Sequence, residues 1–466
     1  MLVAGVDSST QSTKVVLCRA EDGTILEQRS APHPAGTEVD PAAWWTALQQ
    51  AGDGLLSQAA AVGVAGQQHG MIVLDQAGHV IRPALLWNDM RSAKAAAELL
   101  SERGGPQWWA SQTGSVPTAS FTVTKLRWLA ETEPANAARA ESVLLPHDWL
   151  TWRLGSGDGT AGEPVTDRGD ASGTGYFSPA KGTWLPDVAA SAIGHPVRLP
   201  PVARPAEVTG ETAWGAALSA GTGDNMAAAL GLGLGAGDVA ISIGTSGTVF
   251  AVSNSAAADP SGAVAGFADA TGRYLPLVCT INAGLVLSAT AALLGTGLDG
   301  LSSLALAAEP GAAGLTLLPY LDGERTPNRP AATGVLRGLT TRNATRENLA
   351  RATVEAVIAS LASVGNLLTG YGVKRERVLL IGGAARSEAI CRLAPGIVGS
   401  PVVVPAPAEY VAIGAARQAA WALAGTPEPP RWPTPPAFEY EGAPQPEIVE
   451  RHEALRADTA SWPANS

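Results

Sequence analysis

The chain has 466 residues, which at about 100–200 residues per domain allows two to four domains. Hydrophobic residues make up 46 % and the formal net charge is −11. A large core is therefore available, and a general nucleic-acid binder, whose surface would be basic, is disfavoured. Cys18, Cys279 and Cys391 lie far apart with no CxxC spacing. That argues against a disulfide framework or a structural zinc site and fits a reducing compartment, the cytoplasm. No basic segment followed by an apolar one opens the chain, so a signal peptide is not expected.

The opening segments "LVAGVD", "TKVVLCRA" and "GTILEQRSAP" read as paired strands, with "EDG" as the second turn. The first bend, "DSSTQST", sets Asp7 before five hydroxyl side chains. Such a turn presents hydroxyls and backbone N–H groups to phosphate oxygens, although hairpins also use these residues for the turn alone. "DPAAWWTALQQAGDGLL" has helical spacing with Asp40 as its N-cap, and "AAVGVAG" is a short buried strand. Directly after that strand stand Gln67, Gln68 and His69, where open α/β sheets place ligands. His69 offers a donor and an acceptor to a sugar-like hydroxyl, or is a loop histidine with no role. "ALLWNDMR" adds Trp87, Asn88, Asp89 and Arg91, a surface suited to a polyol, with Trp87 equally suited to a core. In "LPHDWLTWRL", Asp148 is either a helix cap or a ligand contact.

A domain boundary is expected near residues 205–223, where Pro, Gly and small residues concentrate. In "GTGDNMAAALGLG", Asp224 precedes an Ala-rich helical run. It reads as an N-cap, or as a carboxylate placed to take a proton from a substrate hydroxyl; one geometry serves both. "GLGLGAG" at 231–237 follows a helix rather than a strand, so it lacks the context of a dinucleotide fingerprint, and no Walker A sequence occurs. "VAISIGTSGTVFAVS", residues 239–253, repeats the strand, small-residue turn, strand pattern of the N-terminus, which suggests a duplicated design. Residues 274–298 carry no charge over a membrane-length span, yet their Pro, Asn, Gly, Ser and Thr read as a strand followed by a buried helix. A long helix from "TRENLARATVEAV" leads to "RVLLIGGAARSE", a strand, Gly-Gly turn and helix start. The proline-rich tail from residue 425 reads as a surface wrap ending in a short charged helix.

Taken together, "GVDSSTQSTK", "GQQHG", "RPALLWNDMR", "SFTVTKLRWL", "LPHDWLTWRL", "GTGDN", "GTSGTVF", "DGERTPNRP", "GGAARSE" and "EYVAIGAARQAA" resemble, in order, the motifs of the FGGY carbohydrate kinase family, and within it the branch acting on xylulose. The resemblance covers residues 3–422. It implies an α/β fold of two similar actin/hexokinase-type (ribonuclease H-like) ATPase domains with a cleft between them. Their expected extents are 1–220 and 221–424, followed by an extension over 425–466. It further implies ATP as phosphoryl donor and Mg²⁺ as cofactor. Asp7 is then the metal's acid, Ser9, Thr10, Thr13 and Lys14 the first phosphate loop, and Gly244, Thr245 and Ser246 the second. Gly382, Gly383, Ala384 and Ser387 match the adenosine loop, Asp224 the catalytic base, and Asn225, Gln68 and His69 the sugar contacts, beside Trp87, Asn88 and Asp89. Two departures stand out: Gln68 where many relatives carry Met, and Gly-Gly-Ala in the adenosine loop; neither removes a catalytic group. The implied activity is phosphorylation of a ketopentose, D-xylulose at its 5-hydroxyl, with ribulose, another pentulose, glycerol or another polyol as alternatives. The implied partners are sugar and ATP, with no nucleic acid or membrane, and a homodimer is common among such enzymes. An actin- or Hsp70-like ATPase switch would leave Gln67–His69, Trp87–Asp89 and Asp224–Asn225 without use.

Overall fold

The computed structural model describes residues 1–156, 162–433 and 436–462. Strands β1 (Leu2–Ser8), β2 (Ser12–Arg19) and β3 (Ile25–Pro32) form an antiparallel meander, as the turn signals require. β4 (Ala61–Gly66) runs parallel to β1 on its other side. Both strands are apolar and buried along nearly their whole length because both faces of the sheet are covered. The sheet continues through β5 (Val208–Glu211) and β6 (Ala217–Ser219), in the order β5-β6-β4-β1-β2-β3, while β7 (Thr222–Gly223) also pairs with β4.

On one face lies the helix Pro41–Gly52, which starts where the Asp40 carboxylate accepts from the Ala42 N–H at 2.9 Å. Its Trp44 and Leu48 share a core cluster with Val15 and Leu17 of β2. On the other face, Ala412, Ala416 and Ala419 of the helix Tyr410–Ala424 pack on Val3 and Val16. That helix also presses against the helix Asp224–Gly231, so closely that a side chain on Gly414 would overlap the Ala227 carbonyl.

The contacts group the chain differently from the expected extents 1–220 and 221–424. The chain divides into one unit of Met1–Leu234, Asn254–Leu275 and Ala408–Thr434, and a second of Gly235–Ser253, Pro276–Pro407 and Pro435–Ser466. Residues 221–234 stay with the first unit because their helix is clamped by Tyr410–Ala424, which returns to cover β1 and β4. The tail is not only a wrap. The strand Ala437–Tyr440 adds to the second unit's sheet, and the helix Pro446–Asp458 buries Ile448, His452 and Leu455. Residues 434–435 and 463–466 of the expected extension lie outside the described residues.

The second unit contains β8 (Asp238–Ile243), β9 (Gly247–Ala251), β10 (Tyr274–Thr280), β11 (Arg377–Ile381), β12 (Val402–Pro405) and β13 (Ala437–Tyr440), in the order β10-β9-β8-β11-β12-β13. β8 and β9 form a hairpin, and β11 runs parallel to β8. That repeats the arrangement of β1, β2 and β4. Residues 274–298 are a strand followed by the helix Gly284–Leu293, as their composition suggested. The helix Arg346–Gly365 begins where the Thr345 hydroxyl accepts from the Asn348 N–H, and it is buried from Ala350 to Val364. Its length and apolarity would suit a membrane, but its apolar surface is spent on the core.

Candidate active site

Strand register assembles the site in the first unit. β4 lies between β1 and β7, with Asp7 and Thr222 both opposite Ala65, and Ser8 and Gly223 both opposite Gly66. All three strands run in the same direction. Asp7, the Gln67–His69 turn and Asp224–Asn225 therefore leave from neighbouring carboxyl edges. At about 4.8 Å per strand, Asp7 and Asp224 stand roughly 10 Å apart with Gln67–His69 between them.

Asp224 is not the N-cap. Gly223 occupies that position, no side chain caps the helix, and Asp224 is its first residue. Its Oδ1 instead accepts from Asn225, from the backbone N–H at 2.8 Å and from Nδ2 at 2.9 Å. Asn225 Nδ2 also donates to Gln68 Oε1 at 3.1 Å, joining the acid to the amide across two strands. Gly223 permits this approach, since a Cβ there would stand 2.8 Å from Gln68 Cγ. Burial, then the charges of Asp7 and Asp170, push the Asp224 carboxyl up to about 7, against the two Asn225 bonds. The residue as a whole stays partly accessible.

His69 has a left-handed backbone, φ 67°, which is uncommon outside glycine and clusters at functional sites. The turn is held by its own carbonyl, which accepts from buried Lys125 Nζ at 2.6 Å and from Thr122 Oγ1 at 3.2 Å. Its ring packs on Phe121 and Phe267, and its Nδ1 donates to the Gly173 carbonyl at 2.6 Å. That bond puts the proton of the neutral ring on Nδ1 and makes Nε2 the acceptor nitrogen. Gln67 and Gln68 are buried, and each Nε2 lacks a hydrogen-bond partner among the described residues. A buried amide donor left unpaired costs about 1–3 kcal/mol, so these two are suited to ligand oxygens.

Trp87 is 37 % exposed, which removes the core reading, and its Nε1 donates to Thr10 Oγ1 at 2.8 Å. Buried Asn88 Oδ1 has no partner among the described residues and is available as an acceptor. Asp89 differs from expectation as a sugar contact. Its carboxylate accepts from Thr37 at 2.7 Å and from the Arg91 N–H and Nε, which hold it below its usual value despite burial. It braces the loop that carries Trp87 and Asn88. Asp148 sits in the first turn of the helix Pro146–Ser156 and reaches back to the Leu145 N–H at 2.8 Å, a capping contact.

On the first hairpin, Ser9 donates to Asp7, and Asp7 stands opposite Lys14. Lys14 Nζ is 3.9 Å from Asp7 and 2.6 Å from Glu409. Burial, partly offset by Ser9 and Lys14, raises the Asp7 carboxyl to about 6. Thr13 Oγ1 is 2.7 Å from His33 Nε2, which ties the hairpin to the end of β3. In the second unit, Gly244, Thr245 and Ser246 form the exposed bend between β8 and β9. The Gly244 and Thr245 carbonyls accept from Gly284 and Leu285 at the start of a helix. β11, next to β8, ends at Ile381 and is followed by Gly382 at φ 90°, then Gly383, Ala384 and Ser387. The segments expected to be the second phosphate loop and the adenosine loop thus share one strand edge.

Among the described residues no group of three or more His, Cys, Asp or Glu could hold a metal ion by itself. Mg²⁺ usually needs only one or two carboxylates, with phosphate oxygens and water completing its shell. Buried Asp7, whose charge is only partly compensated by Lys14, fits such a site.

Sequence reasoning placed Gln67, Gln68 and His69 together at a strand end but matched only Gln68 and His69 to the family's sugar contacts, although Gln67 stands in the same turn. It also missed Thr222, Lys125 and the "DRGDASG" segment, where Gly173 meets His69; the only local signal was an acid-rich, small-residue run.

The family model of the FGGY family of carbohydrate kinases, N-terminal domain, matches residues 2–235, and that of the C-terminal domain matches residues 239–423. A xylulose kinase of Streptomyces coelicolor is 46 % identical over 443 residues, 91 % of this chain and 88 % of that protein. The Escherichia coli xylulose kinase is 36 % identical, covering 82 % of each chain. A crystal structure of xylulose kinase from Bifidobacterium adolescentis superimposes with a TM-score of 0.92 at 45 % identity, covering 98 % of this chain and 99 % of that one. The fold is the two-domain actin/hexokinase-like fold of these kinases, and the chain belongs to the FGGY family of carbohydrate kinases.

Proposed function

We propose that the protein is a xylulokinase, transferring the γ-phosphoryl group of ATP to the 5-hydroxyl of D-xylulose. Xylulose is the sugar named for the relatives above. The observation that carries the mechanism is the bonded set Asp224–Asn225–Gln68 at one strand edge, flanked by the unpaired amides of Gln67 and Gln68. Amide donors, the acceptor nitrogen of His69 and the Asn88 oxygen can meet a ring of hydroxyls and a carbonyl.

In this reading Asp224 accepts the proton of the 5-hydroxyl as that oxygen bonds to phosphorus and the bond to the ADP leaving oxygen breaks. A base near 7 is matched to that task at cellular pH. Asn225 aims the carboxylate, and the Gln67–His69 turn orients the sugar. Ser9, Thr10, Thr13 and Lys14, with Gly244, Thr245 and Ser246, supply hydroxyls and N–H groups for phosphates. Gly382, Gly383, Ala384 and Ser387 take the adenosine. Asp7 would hold Mg²⁺, which neutralises phosphoryl charge when bound. The three cysteines, none of them in a disulfide among the described residues, support a cytoplasmic setting, and a homodimer is proposed on the family resemblance alone.

The substrate is tested by ADP release with xylulose, ribulose and glycerol. Xylulose should give the highest kcat/KM. A higher value with ribulose or glycerol overturns the assignment of the sugar.

A further inference from the structure

Four ionisable side chains lie against the substrate site and have no part in the mechanism above: His147, Asp148, Asp167 and Asp170, each no more than 2 % exposed. His147 Nδ1 donates to Asp170 Oδ2 at 2.7 Å, and its Nε2 stands 3.2 Å from Asp148 and 3.9 Å from Asp167. Burying such groups costs several kcal/mol each, and apolar replacement of buried ion pairs is often neutral or stabilising. Stability therefore does not account for the cluster, whereas its contacts do point to a role.

Asp167 accepts from the Gly169 and Asp170 N–H groups at 2.8 Å, which fixes the turn Arg168–Ala171. Its Oδ2 also accepts from Thr222 Oγ1 at 2.8 Å, two residues before Asp224. Gly169 packs against Thr222 and against Met226, two residues after Asp224; a Cβ there would stand 2.8 and 2.9 Å from them. His147 lies under Gly66, the last residue of β4 before Gln67, where a Cβ would stand 2.9 Å from its backbone nitrogen. At the end of the segment, the Gly173 carbonyl receives His69 Nδ1. One seven-residue stretch thus touches both flanks of Asp224 and the sugar-facing histidine, and through His147 it reaches the root of the glutamine turn.

We propose that Asp167 and Asp170 are positioning residues for phosphoryl transfer: braced by His147 and Asp148, the segment Asp167–Gly173 holds Asp224, Gln68 and His69 in one fixed frame. The proposal rests on Asp224 being the base.

The test compares Thr222→Val, Thr222→Ser and Asp170→Asn by kcat, by KM for xylulose and ATP, and by thermal unfolding. Thr222→Val keeps shape and deletes the donor to Asp167, and Thr222→Ser restores it. Misplacement of a reacting group by about 1 Å can cost 10²-fold, so Thr222→Val should lose about tenfold or more in kcat. Thr222→Ser should keep most of the rate, and KM for ATP should stay within about twofold in both. Asp170→Asn should lose about tenfold in kcat and, because one partner of a buried ion pair is removed, should also lower the melting temperature. Equal kcat in Thr222→Val and Thr222→Ser, or a lower melting temperature without loss of kcat, overturns the proposal. If Asp170→Asn does not fold, the Thr222 pair decides alone. Wild-type turnover and an inactive Asp224→Ala variant are run alongside. A failure there strikes the base assignment, and a failure confined to the Thr222 pair strikes the positioning.

Discussion

Asp224→Ala should lower kcat by about 10²–10⁴-fold, the usual contribution of a general base, while ATP still binds. A sugar hydroxyl is a weak nucleophile at neutral pH, and Asp224 is the carboxylate bonded into the Asn225–Gln68 set. The hairpins proposed to bind phosphate do not depend on it, so KM for ATP should hold. The pH dependence has a definite sign. The Asp224 carboxyl titrates near 7 in the free protein, and only its ionised form accepts a proton. Wild-type kcat/KM should therefore fall as pH drops through about 7, and the residual rate of Asp224→Ala should lack that limb. Steady-state kinetics across pH check both; near-wild-type turnover in Asp224→Ala would remove the base assignment.

Asp7→Asn should raise the Mg²⁺ concentration for half-maximal rate by about tenfold or more, since even groups outside a metal's direct ligands change affinity by 10–100-fold. The substitution keeps the shape and leaves Ser9 with an acceptor, but it deletes the charge that a hard cation seeks. Sugar KM should change little, because Gln67–His69 leave from the neighbouring strand. A magnesium titration of the rate is the check, and an unchanged midpoint would count against Asp7 as the metal's acid.

Much of this was legible in the sequence where the cause is local. The β1–β2 bend, the Asp40 cap and the Gly244–Ser246 bend are each specified by a few adjacent residues, and the structure keeps all three. Asp224 shows the limit of local reading. An acid before an Ala-rich run reads as a cap, but Gly223 takes the cap, and Gln68, far away in sequence, leaves no room for a side chain there. The grouping of residues 221–234 with the first unit is hidden from the sequence in the same way. A helix almost two hundred residues later, Tyr410–Ala424, returns to clamp Asp224–Gly231, and no pattern within residues 205–223 announces it. Asp148 makes the capping contact that was one of its two readings, whereas Asp89 was read for its chemical type and its oxygens accept from Thr37 and Arg91, partners that no local pattern announces. Asp167 and Asp170 look like turn acids until the fold brings His147 and Thr222 to them.

The most direct test of the central claim is ADP release with D-xylulose against 5-deoxy-D-xylulose, which lacks only the accepting hydroxyl. Sugar-dependent ADP release with xylulose, and none above background with the 5-deoxy sugar, is the expected result. Equal ADP release with both sugars, or none with xylulose, would contradict it.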